Sequence, residues 1–158
     1  MARPSAFLAL LVLAAILSAC DSVVEPPTSE IRVGGPYEAA TFRLLNAETG
    51  ALHYDLLAAG ATYRMTLADD GTVTGRVFIP YEAFVESGTA DDITGDFDVT
   101  FDGVYTESAD AVTFDLRPGT FDDTFIDAKP WEIVEDGRGL RFEDDASDGL
   151  TFELVVTR

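Results

Sequence analysis

The chain of 158 residues holds one cysteine, one histidine and one tryptophan, and Lys129 is its only lysine. A lone Cys20 excludes a disulfide within the chain, and zinc sites built from cysteine and histidine are excluded by count. His53 is the sole imidazole, so Ser-His-Asp and Cys-His arrangements have at most one candidate base. Its neighbours Leu52 and Tyr54 place it on a strand, exposed. Positive charge is scarce: 10 basic residues face 29 acidic ones, a formal net charge of −19 at pH 7. With no basic patch to neutralise phosphates, nucleic acid is not an expected partner. Anionic lipid headgroups would repel such a surface, and a cationic protein partner, or none, fits better. No glycine-rich phosphate loop of either standard spacing is present. The one long apolar run, residues 7–16, falls short of the ~20 residues that a spanning helix needs.

That run is informative through its setting. Arg3 precedes it, and Leu17-Ser18-Ala19-Cys20 closes it, which is the layout of a bacterial lipoprotein signal. Residues 1–19 are expected to be the signal peptide, and Cys20 the lipidated mature N-terminus. Two or three acyl chains give stable anchoring where one would be marginal. The expected location is therefore the bacterial cell envelope, lipid-anchored to a membrane and facing the periplasm or the cell surface. Asp21 resembles the inner-membrane retention signal of enterobacterial lipoproteins. Residues 20–36 read as a tether, stiffened at Pro26-Pro27 and loosened at Gly34-Gly35. Residues 37–158 suffice for one domain with a single core. Acid enrichment with lysine depletion resembles the proteins of salt-adapted, halophilic organisms, whose carboxylate repulsion is screened at high ionic strength.

Along that domain the dominant signal is a period of two. Phe97, Val99, Phe101, Gly103 and Tyr105 face one way against Asp96, Asp98, Thr100, Asp102 and Thr106. Tyr63, Met65 and Leu67 alternate with polar neighbours, as do Val112, Phe114 and Leu116. Near the C-terminus Leu150, Phe152, Leu154 and Val156 alternate with Thr151, Glu153 and Thr157, which predicts a dry face and a wet one. Strands are expected near 37–45, 51–55, 61–68, 72–79, 96–106, 111–117, 130–135, 139–143 and 150–157. Turns such as Asp69-Asp70-Gly71 and Asp136-Gly137-Arg138-Gly139 join antiparallel neighbours and are too short for parallel crossovers. The fold class is all-β: an antiparallel meander of about eight or nine strands closing into a small barrel, with a β-sandwich as the alternative. Residues 56–60 are expected to form one helical turn, and residues 80–95 a lid or exposed loop.

The order of a leading strand, then DLLAAGATYRMTLADDGTVTGRVFIP (55–80), GDFDVTFDGVYTESADAVTFDL (95–116), an Asp-Thr-Phe run (123–125) and a last strand ending in Arg158 resembles small bacterial lipocalin-like lipoproteins. The resemblance implies a closed barrel over nearly the whole mature domain. Where many lipocalins carry Gly-x-Trp this chain has Gly35-Pro36-Tyr37, and Trp131 lies near the other end of the sequence.

Tyr63, Phe97, Phe101, Tyr105, Phe114, Phe142 and Phe152 fall on the predicted inward faces. They either line a pocket for a small apolar ligand or fill the core, since a barrel of eight strands is just wide enough for one or the other. Among the carboxylates, Asp144, Asp148 and Gly149 match places one, five and six of a calcium loop, but Ala146 and Val155 stand where ligands are required. Asp91-Asp92 and Asp122-Asp123-Asp127 could gather oxygen ligands only if their loops converge, and solvated acidic turns are the simpler reading. No catalytic residue, metal site or cofactor motif emerges, and an enzyme is not expected. Two readings stand: a binding module whose mouth is gated by residues 80–95, and a structural or protein-interaction lipoprotein with a filled core.

Overall fold

The computed structural model describes residues 33–89, 93–117, 129–146 and 149–158. The signal peptide, Cys20, most of the tether, and Asp91, Asp92, Asp122, Asp123, Asp127 and Asp148 lie outside the described residues. Nine strands follow one another: β1 (Gly35–Asn46), β2 (Leu52–Asp55), β3 (Thr62–Leu67), β4 (Thr72–Ile79), β5 (Phe97–Glu107), β6 (Ala111–Leu116), β7 (Trp131–Val134), β8 (Gly139–Asp145) and β9 (Leu150–Thr157). An α-helix, α1 (Tyr81–Ser87), sits between β4 and β5, and a 3-10 turn, Glu135–Gly137, joins β7 to β8.

Every strand pair is antiparallel, and β1 also pairs with β9, so eight strands from β1 through β3 to β9 close on themselves. Closure removes the unpaired edges that an open sheet would expose. The ninth strand, β2, shares an edge of β1 with β3. Residues Gly35 to Glu38 of β1 pair with β3, and Arg43 to Leu45 pair with β2. The two short strands thus form one lane interrupted by the turn at residues 56–61, where Leu56 N–H donates to the Phe42 carbonyl at 2.9 Å. This is an up-and-down barrel, the architecture expected of a lipocalin-like fold.

Alternation drives the closure. Tyr63, Met65 and Leu67 of β3, Val73, Val77 and Ile79 of β4, Val112, Phe114 and Leu116 of β6, and Phe152, Leu154 and Val156 of β9 are all buried. One strand breaks the simple period: the β1–β9 register shifts between Ala39 and Thr41. This bulge moves the inward positions of β1 from Tyr37 and Ala39 to Phe42 and Leu44. Two glycines permit tight coiling. A Cβ on Gly75 would lie 2.1 Å from the Phe101 ring, and one on Gly103 would lie 2.3 Å from the Asp115 carbonyl. Phe101 can therefore fold across β4, and β5 can press against β6.

The structure corrects two expectations. Residues 80–95 are not wholly irregular, because α1 occupies the first part; Pro80 precedes it with φ −60° and Gly88 ends it at φ +77°. The outer face is not uniformly wet either: Glu153, expected outward and exposed, is only 4% exposed. Arg43 and Arg141 reach it from the neighbouring strands and cover it with their long stems.

Candidate functional site

The barrel interior was the leading candidate, and its middle is occupied by rings. Trp131 stacks on Phe142 with centroids 5.2 Å apart, meets Phe114 edge-on at 5.5 Å and approaches Tyr63 at 5.9 Å. The contacts run on from Tyr63 to Phe101 at 5.8 Å, from Phe142 to Phe152 at 6.3 Å and from Phe152 to Phe42 at 5.2 Å. None of these side chains is more than 4% exposed. Each pair lies within the 4.5–7 Å range in which offset and edge-to-face rings attract. The Tyr63 hydroxyl donates to the Met65 sulfur at 3.7 Å, and burial pushes its pKa well above the ordinary tyrosine value.

Five of the seven aromatics picked from sequence, Tyr63, Phe101, Phe114, Phe142 and Phe152, belong to this chain of rings. The other two are only partly buried and lie toward its ends. Phe97 is half-buried at one end of the barrel, edge-on to Phe84 at 6.5 Å. Tyr105 lies toward the other end, where its hydroxyl donates to the Ala68 carbonyl at 2.9 Å. Trp131 and Phe42 went unselected. Trp131 alternates with Ile133 on the short β7, a signal that was available. Phe42 was hidden by the β1 bulge.

The end of the barrel where the described chain enters is sealed. Val33 and Tyr37 are buried there, and the Tyr37 hydroxyl donates to the carbonyls of Val33 at 2.6 Å and Gly137 at 3.3 Å. Arg158, at the end of β9, holds its guanidinium 5.7 Å from the Tyr37 ring centre. It donates to the carbonyls of Gly34 at 2.8 Å and Gly137 at 2.7 Å. Burial raises the Tyr37 pKa although Arg158 pulls the other way. The β7–β8 turn supplies the shared acceptor: Glu135, Asp136 and Gly137 all take positive φ, which aims the Gly137 carbonyl at both donors. Tyr37 works as the seal of this pole.

The opposite pole is built differently. There α1 lies over the barrel end with Ala83 and Ser87 buried, and the Tyr81 N–H donates to Asp96 at 3.0 Å. Two contacts brace β2 against it: His53 Nε2 meets the Ser87 carbonyl at 2.9 Å, and the Tyr54 hydroxyl donates to Glu86 at 2.6 Å. His53 is exposed on its strand, as expected, and its ring serves as a brace. Of the four large apolar side chains exposed among the described residues, this pole carries three, Leu52 at 57%, Val85 at 51% and Tyr81 at 36%; the fourth, Val104, lies on the β5 wall.

The outer wall holds two polar features. Glu153 accepts from Arg43 and Arg141, and Arg141 also binds Glu143, so Arg141 bridges the facing carboxylates of Glu143 and Glu153. Around Gly75 an open concavity of about 470 Å³ is rimmed by Arg64, Thr66, Thr74, Arg76, Thr100 and Asp102. Its arginines are paired, Arg64 with Glu38 at 3.2 Å and Arg76 with Asp98 through two bonds of 2.7 and 2.6 Å. In the calcium-like loop Asp144 accepts from Lys129 and from the Asp145 N–H. Among the described residues no three His, Cys, Asp or Glu side chains gather as a metal site. No protein-family model matches the chain, and comparisons with curated proteins and with solved structures return no match.

Proposed function

We propose that this chain is a lipid-anchored envelope protein that acts as a non-enzymatic interaction module, a barrel with a filled core that works through its surface. The ring chain centred on Trp131 carries this reading, because it takes up the space that a small apolar ligand would need. The Leu17-Ser18-Ala19-Cys20 run supports the anchor, and the engagement of the only histidine with a backbone carbonyl supports a role outside catalysis. Native mass spectrometry of the Cys20→Ser chain, purified gently from its own cells, is expected to give the bare polypeptide mass. A reproducible added mass of a small apolar compound would overturn the filled-core reading and return the interior to a ligand. Fractionation of the same variant tests the anchor: release from membranes is expected, and retention there would overturn it.

A further inference from the structure

We infer that the pole capped by α1 is a docking surface for a cationic protein segment that carries an apolar anchor. The inference rests on the interaction-module reading and gives the partner its chemistry. Three observations meet at this end. Tyr81 and Val85 are four residues apart and therefore lie on one face of α1, and both are exposed. The His53–Ser87 and Tyr54–Glu86 contacts bring β2, with exposed Leu52 beside His53, against the last turn of that helix. The described acids here are Glu82, Glu86, Asp96 and Asp98 on and after α1 and Glu48 and Asp55 beside β2; residues 77–98 and 44–61 contain no lysine or arginine, and Arg43, which faces Asp55 across the strands, is held by Glu153. The nearest arginine on β4, Arg76, is held by Asp98.

Apolar side chains rimmed by polar ones mark interaction surfaces more than stray exposure does. Charge selects among the occupants. A second copy of a chain with net charge −19, or an anionic membrane, would bring like charge against these acids. A basic segment is attracted and steered, and an apolar side chain on it would cover Leu52 and Val85.

The test uses the full lipidated chain in zwitterionic phosphatidylcholine nanodiscs and two synthetic probes, Lys-Lys-Trp-Lys-Lys and pentalysine, with titration and hydrogen-exchange mapping. The tryptophan probe is expected to bind about fivefold tighter, a difference of roughly 1 kcal/mol, and to protect residues 46–57 and 81–89. Paired Leu52→Ser and Val85→Ser changes should abolish the preference. Val104→Ser, at an exposed apolar residue on the β5 wall, should leave it intact. Equal binding of both probes, or protection spread over all acidic faces, would overturn the docking surface while leaving the filled-core module standing. An apolar ligand in native spectra would instead overturn the module.

Discussion

At one end of the barrel an arginine and a tyrosine close the interior; at the other a helix of seven residues does. The sealed pole satisfies its polar groups internally. Arg158 and Tyr37 converge on the Gly137 carbonyl, and their remaining bonds go to Gly34 and Val33. At the α1 pole the polar contacts of His53, Tyr54 and Asp96 hold the helix in place, while Leu52, Tyr81 and Val85 stay uncovered. Both ends exclude water from the rings between them. Among the described residues, only the second end exposes large apolar side chains.

The largest effect expected is on the support that both poles share. Trp131→Ala removes the ring that touches Phe142, Phe114 and Tyr63, and should cost about 3–5 kcal/mol in urea unfolding. Alkaline titration probes the same core. Folding raises the pKa of both Tyr63 and Tyr37 above the usual value near 10. Their contribution to stability is therefore intact below that pH and is lost as pH rises toward the folded values. Tyr63→Phe should unfold less steeply above pH 10 than the unaltered chain, and identical curves would exclude Tyr63 as a source of the alkaline loss.

Substitutions at the two poles should then separate them. Arg158→Ala breaks two charge-assisted bonds to carbonyls, and an unfolding midpoint lowered by about 1–3 kcal/mol is expected. Glu135→Gly relieves a left-handed, non-glycine backbone in the turn that presents Gly137, and should stabilise by up to about 1 kcal/mol. At the α1 pole, Leu52→Ser and Val85→Ser should each change stability by less than about 0.5 kcal/mol. A large loss there would mean that these side chains support the fold and are not held free for a partner.

Much of this was legible in the sequence. All nine strands lie where period-two alternation and short turns put them, because a half-buried strand needs a dry residue at every second position. The failures have equally local causes. One extra residue near Ala40 flips the inward set of β1, and no composition signal marks a bulge in a run such as Tyr37-Glu38-Ala39-Ala40-Thr41-Phe42. A helix of seven residues completes barely two turns, too few for a 3.6-residue period to stand out. Among the seven selected aromatics, alternation could tell which face each occupied but not its height along the barrel. Phe97 and Tyr105 therefore share the inward face of the ring chain but lie toward the two ends of the barrel, packed against the core only in part.

By itself, then, the sequence determined the class of fold, the order and facing of most strands, the acidity of the surface and the expectation of a lipid anchor at Cys20. All of these are written in composition or in neighbours a few residues apart. Tertiary structure alone decided the shifted register in which β1 closes on β9, that β2 and β3 share one lane, that Glu153 is buried between two arginines, and that Arg158 and Tyr37 meet at Gly137. Those pairings join residues up to 121 positions apart, from Tyr37 to Arg158. Only closure of the barrel brings such residues within reach, and no local pattern encodes which distant partner a side chain will find.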